Sequence, residues 1–257
     1  MPDRRKKALS KRKLSHLVPA LVIVIGLTVV LVILQLGLFS TPVPLDQRED
    51  RTVYALNANV VINATIFSGN IEIQPTTGDQ IEVIYTIKAP RGELSTITTK
   101  TDETITGDQT TLITSAKGSK NYINPQHTAD LLIKLPASSQ YTLMLLSGSG
   151  DIIIPKLNIN KVSVSTTKGN INIKNDGNSN SIEAISMNGN IQIGLAKNTL
   201  FQVAASVENG TIEHPEITLN TEEKTALRLK GTTSAGEGTL SLTLMSANGN
   251  ITIAYLN

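Results

Sequence analysis

The chain contains no cysteine and no tryptophan, and aromatic residues make up only 3% of its 257 residues. Without thiols it is not a disulfide-stapled scaffold, and cysteine chemistry and cysteine metal ligation are excluded. With so few aromatics, the core has to be built from Ile, Leu, Val and Ala. Histidine is also scarce. His16 borders a long apolar run, while His127 and His214 lie in polar, loop-like contexts and read as surface residues. They do not have metal-ligand spacing, and no Ser-His-Asp set can be assembled around them. Nothing in the sequence calls for a cofactor or a metal.

Charge is unevenly spread. Residues 1–16 hold seven bases (Arg4, Arg5, Lys6, Lys7, Lys11, Arg12, Lys13) and one acid, Asp3. This segment carries +6 of a total of +2, so the rest of the chain carries −4. A mildly acidic remainder without basic clusters has no electrostatic footprint for nucleic acid.

Residues 17–39 form an uncharged run of 23 residues, LVPALVIVIGLTVVLVILQLGLF. A helix of that length covers roughly 35 Å, enough to cross a hydrocarbon core of about 30 Å. The run is longer than the apolar part of a secretory signal, and no small-x-small cleavage site follows it. An uncleaved single-pass anchor is expected. The basic tail of residues 1–16 places the N-terminus in the cytoplasm and the C-terminal part outside. Residues 40–52 read as a short juxtamembrane linker in which Pro42 and Pro44 stop the helix. Residues 53–257 are then the extracytoplasmic domain.

One phrase recurs in that domain: a small or polar residue, Gly, then Asn, Asp or Thr, then alternating Ile. It occurs at Gly69-Asn70, Gly150-Asp151, Gly169-Asn170, Gly189-Asn190, Gly210-Thr211 and Gly249-Asn250. The intervals between these glycines are 81, 19, 20, 21 and 39, each near a multiple of 20. Each phrase is a turn followed by a strand. Gly supplies positive φ, and Ile-x-Ile has the period of a strand with one buried face. An alternating strand also precedes most turns, as in Val162-x-Val164 and Ile182-x-Ala184. Two arrangements fit: a β-solenoid of about 20 residues per coil, or an antiparallel meander with hairpin turns. The regular period and matched Ile positions favour stacking. Residues 74–146 lack the phrase and read as longer, mainly antiparallel strands that cap the first coil. Residues 214–236 replace one expected turn near 230 and read as a loop or irregular coil.

These passages, taken in order, resemble the DUF4097/DUF2807 group of β-repeat domains, often labelled adhesins. The passages are the strand entering Ser68-Gly69-Asn70-Ile71, ADLLIKLP leading to TLMLLSGSGDI, the turns at 169 and 189, and the closing GEGTLSLTLMSANGNITI. The resemblance spans about residues 53–257. It implies an all-β, right-handed β-helix-like solenoid, often behind an N-terminal membrane helix, and it transfers no catalytic residues.

The expected function is therefore non-enzymatic: a membrane-anchored surface or envelope domain that binds an envelope polymer or another surface protein. The alternatives are an accessory of an envelope-stress sensor in the same membrane and, less favoured, a carbohydrate-active β-helix enzyme. An enzyme of that kind needs clustered carboxylates on one face. The column between the paired Ile positions is Glu72, Ile153, Asn172, Gln192, Glu213 and Thr252, polar without concentrating acid. That column is the expected partner-binding face. The glycines of Ser147-Gly-Ser-Gly-Asp151 form a single fragment of a calcium-repeat pattern. They do not open a helix as a dinucleotide loop would.

Overall fold

A computed structural model of the protein describes residues 44–118, 126–233 and 240–256. The basic tail, the apolar run and most of the juxtamembrane proline segment lie outside the described residues. Leu45–Asn257 forms one compact unit.

Alternating burial defines its strands. In chain order they are β1 (Leu45–Ala55), β2 (Asn59–Ile66), β3 (Ile71–Thr76), β4 (Gln80–Pro90), β5 (Thr98–Thr106), β6 (Gln109–Lys117) and β7 (Thr128–Pro136). Then follow β8 (Gln140–Ser147), β9 (Ile152–Ile154), β10 (Ile159–Lys168), β11 (Ile171–Asn175), β12 (Ser181–Asn188) and β13 (Ile191–Leu195). The last are β14 (Phe201–Asn209), β15 (Ile212–Glu213), β16 (Asn220–Lys224), β17 (Arg228–Thr232), β18 (Leu240–Asn248) and β19 (Ile251–Tyr255). They form two sheets: sheet A, of nine strands, and sheet B, of ten. Each recurring turn carries the chain from a strand of sheet B into a strand of sheet A. The inward Ile, Leu, Val and Ala of both sheets form one core.

Stacking prevails over the meander. β10 pairs in parallel with β8 and β12, and β11 with β9 and β13, each strand in register with its counterpart one coil away. Ile152, Ile171 and Ile191 therefore lie side by side, all fully buried. Parallel pairing needs both sheets covered on their inner faces, which the facing sheet supplies.

The order of the coils differs from the order of the sequence. The pairings give seven layers: β6/β7, β2/β3, β8/β9, β10/β11, β12/β13, β18/β19 and β14/β15. The chain visits the second layer before the first and the seventh before the sixth. After β13 it builds β14/β15 one step too far, turns back through the β16–β17 hairpin, and inserts β18/β19 into the gap. β18 accordingly pairs in parallel with both β12 and β14. The interval of 39 between Gly210 and Gly249 is thus a reversal, and no turn is missing between them.

Three further expectations are corrected. Residues 40–52 are not all linker, because Leu45–Ala55 is a strand pairing antiparallel with β4. Its charged sequence hides this. β1 is an edge strand, exposed on most of its length, where charges discourage further pairing. Residues 214–236 are not simply irregular, since β16 and β17 form an antiparallel hairpin that pairs with β14, the last strand of the parallel array. Within residues 74–146, β4 and β5 are antiparallel to their neighbours, but β6, β7 and β8 run parallel to β2 and β3 and complete layers of the array.

Two buried tyrosines mark the less regular part of the core. The Tyr85 hydroxyl hydrogen-bonds the Thr114 hydroxyl at 2.7 Å, and that of Tyr141 donates to the Pro136 carbonyl at 2.6 Å. Burial pushes both phenols up from 10.0 to about 12. Below about pH 10 both are neutral in the folded and unfolded chains, so their contribution is fully present. As pH rises from about 10 to about 12, the unfolded chain ionises first and stability falls. Urea midpoints are expected to drop across that window, and a Tyr85→Phe/Tyr141→Phe variant should show a shallower drop.

Candidate interaction surface

The recurring turns form a ladder along one edge of the layers. Gly69, Gly150, Gly169, Gly189, Gly210 and Gly249 all have positive φ. Each glycine also presses against a carbonyl of the next layer, so that a Cβ on Gly150 would lie 1.9 Å from the Gly69 oxygen. Glycine is required here for both reasons.

The residue after each glycine has a separate task. Its side-chain oxygen accepts the backbone N–H of the same position one layer on. In the first layer Asp130, which follows Ala129 in place of a glycine, fills this role and its Oδ1 accepts from Asn70 at 2.9 Å; Asn70 accepts from Asp151 at 2.9 Å, and Asp151 from Asn170 at 2.6 Å. Asn170 accepts from Asn190 at 2.9 Å, Asn190 from Asn250 at 2.8 Å, and Asn250 from Thr211 at 2.9 Å. Thr211 stands in the seventh layer, with no further layer to serve. That position does not need an Asn or Asp acceptor.

Sequence reasoning missed a third member of the ladder. Ser147, Thr166, Ser186 and Ser246, each three residues before a turn glycine, are buried. Their hydroxyls donate to the carbonyls of Gly69, Gly150, Gly169 and Gly189 respectively, each at 3.0 Å. The pattern Ser/Thr-x-x-Gly-Asn/Asp-Ile was its visible signal. The turn edge is thus structural, its polar groups engaged between layers.

His127 is placed differently from expectation, whereas His214 lies in a loop and is not buried. His127 is buried just before β7, and its Nε2 lies 2.7 Å from the Glu93 carboxylate. Glu93 leads into the 3-10 turn Leu94–Thr96, so a contact between distant segments buries a residue with polar sequence neighbours. The His214 ring contacts the Ile217 carbonyl and the Lys224 amine, at 3.1 and 3.2 Å.

Two outer faces remain. On sheet A the expected column does line up, in the order Glu72, Ile153, Asn172, Gln192, Thr252, Glu213. Charged pairs stand beside it. Arg51 and Lys134 lie 2.8 and 3.3 Å from the two Glu82 oxygens, and Lys88 lies 3.6 Å from Asp130. Lys134, then Arg51, holds the Glu82 carboxyl below its usual range.

The outer face of sheet B is different. In register across its strands run the rows Ile113, Asn63, Met144, Ser163, Glu183, Thr243 and Ser115, Thr65, Leu146, Ser165, Ile185, Met245. Ile113, Met144, Leu146 and Met245 are between 42% and 50% exposed, a high value for side chains of this size. A shallow depression of about 400 Å³ opens among Asn63, Thr65, Met144, Leu146, Ser163 and Ser165. Met144 and Leu146 adjoin on β8, Met245 adjoins the half-buried Ile185, and Ile113 stands beyond Asn63; apolar groups gathered on one solvent face among hydroxyls have the character of a binding surface.

Comparison with known proteins agrees with this architecture. A solved structure described as "a putative cell adhesion protein" from Clostridium sporogenes aligns with a TM-score of 0.66 at 14% identity, covering 82% of this chain and 100% of that one. At that identity it shows a shared fold. A second, described as "a putative adhesin" from Bacteroides fragilis, aligns with a TM-score of 0.30 at 13% identity, over 82% of this chain and 97% of that one. No curated protein matches the chain. The family described as Toastrack DUF4097 matches residues 137–254, a stretch that runs from just before β8 into β19 and holds all the turn glycines except Gly69. Residues 137–254 are thus similar in sequence to the Toastrack DUF4097 family.

Proposed function

We propose that this protein is a membrane-anchored, non-enzymatic surface-interaction scaffold, with sheet B's outer face as its binding surface. Residues 17–39 hold it in the membrane with the basic tail in the cytoplasm, and the β-domain stands outside. The apolar run and the seven bases before it support the anchor and its direction. The resemblance noted above supports a right-handed winding of the coils. The observation that carries the binding role is that Met144, Leu146, Ile113 and Met245 stand half-exposed on one face, with Met144 and Leu146 adjoining at its middle. A fold neighbour named for cell adhesion points the same way. The partner is an envelope polymer or a surface protein.

Two readings of the full-length protein on cells test this. Asn172→Cys is expected to react with a membrane-impermeant maleimide on intact cells. Reaction only after lysis would contradict the orientation. Leu146→Lys is expected to lower retention on envelope material at least about tenfold, because an unpaired buried amine costs more than the about 1.4 kcal/mol that a factor of ten represents. Undiminished retention would contradict the assigned face.

A further inference from the structure

We propose that the partner seated on the outer face of sheet B is a second copy of this chain, packed face to face. This rests on the reading of that face as the binding surface and names its occupant.

Size is the first argument. Layers one to seven contribute parallel strands to the face. At about 4.8 Å between strands and about 3.3 Å per residue, the face measures roughly 30 by 20 Å, or about 600 Å² before side-chain relief. A stable protein interface buries about 800 Å² per partner. The face is therefore at the small end of a standard interface, which buries about 600–1,000 Å² per partner.

Charge is the second argument. A two-fold contact brings each residue near the axis against its own copy. Like charges there repel, so a self-pairing face has to be uncharged at its centre. The centre of this face is β10, the strand of the fourth layer, with Ser163 and Ser165 outward and Met144 and Leu146 beside them in register. Within layers one to seven, among the described residues, these two rows hold one charged side chain, Glu183, whose carboxylate accepts a hydrogen bond from the Ser163 hydroxyl at 3.0 Å. Lys161 of β10 stands one row away, and Lys100, Asp102, Arg228 and Lys230 continue the rows on the flanking strands β5 and β17. Ion pairs stand on the outer faces of both sheets, Glu82 with Arg51 and Lys134 on sheet A and Lys100 with Asp102 on sheet B. Met144, Leu146 and Met245 supply apolar area whose adaptable side chains suit a self-complementary contact. Anchoring in one membrane raises the effective concentration of copies for one another.

The cysteine-free chain permits a direct test in its own membrane. Ser165→Cys places one thiol near the two-fold axis. Facing sheets lie about 10 Å apart, too far for a disulfide, so a short bis-maleimide is the appropriate probe. Full-length Ser165→Cys is expected to give a cross-linked dimer, and Asn172→Cys on sheet A at least about tenfold less. Adding Leu146→Lys, or separately Met245→Lys, should suppress the Ser165→Cys product. Equal yields from the two faces would overturn the pairing, since they signal random collision. Absence of product at Ser165→Cys would also overturn it. In that case the effect of Leu146→Lys on envelope retention separates the two claims. Lost retention leaves the binding face standing with a different occupant, and unchanged retention removes the face itself.

Discussion

Gly150→Ala is expected to destabilise the domain by about 4 kcal/mol or more, the range reserved for severe steric or backbone conflict. Two effects combine. At φ +142 an L-residue is strained. The new Cβ would also meet the Gly69 carbonyl at 1.9 Å from oxygen and 2.3 Å from carbon. Neither layer can withdraw, because Gly69 N–H donates to the Ser149 carbonyl at 2.6 Å and Gly150 N–H to the Lys168 carbonyl at 2.7 Å. Gly92 separates the two effects. It has φ +85 but nothing within 4 Å of an added Cβ, so Gly92→Ala should cost only about 1–2 kcal/mol. Urea denaturation of both variants checks the difference. Similar midpoints would mean that the layers do not approach as closely as described.

Ending the chain after residue 239 is expected to unravel more than the missing segment. In a solenoid stacked in sequence order, removing the last coil uncovers one neighbour. Here β18 and β19 lie between the fifth and seventh layers, and their loss deprives β14 of its parallel partner and β15 of its one strand partner among the described residues. The segment contributes Leu240, Leu242, Leu244, Ile251 and Ile253 to the core, all buried. At about 1.5–3 kcal/mol each, their burial is comparable with the whole stability of about 5–15 kcal/mol typical of a domain. Limited proteolysis should cut back to near Leu195, removing β14 to β17 as well. Persistent protection of residues 201–232 would contradict the inserted order.

The turn phrase and the Ile columns were legible because each is a local requirement repeated in every coil. Gly169 and Asn170 announce a tight approach and a backbone acceptor without knowledge of their neighbours. The order of the coils was not legible for the same reason. Every coil carries nearly the same phrase, so the sequence around Gly249 does not say whether it packs on Gly210 or on Gly189. One local sign did exist: Thr211 replaces Asn in the one copy with no layer beyond it. β1 escaped notice because an edge strand has no need of alternating apolar residues, and Asp46 to Arg51 read as solvated linker. His127 escaped because its burial depends on Glu93, distant in sequence. The outer face of sheet B was equally hidden. Met144 and Leu146 sit in a nearly uniformly apolar stretch of β8 and Met245 follows the polar phase of β18, and register shows that they share one solvent face.

That last point separates the two faces on which a partner could act. The polar column of sheet A was the expected surface, and the apolar face of sheet B is the one the geometry favours. Retention of the full-length protein on envelope material, compared between Leu146→Lys and Gln192→Lys, decides between them. The account predicts at least about a tenfold loss for Leu146→Lys, equivalent to about 1.4 kcal/mol, and unchanged retention for Gln192→Lys. Loss with Gln192→Lys and full retention with Leu146→Lys would contradict it.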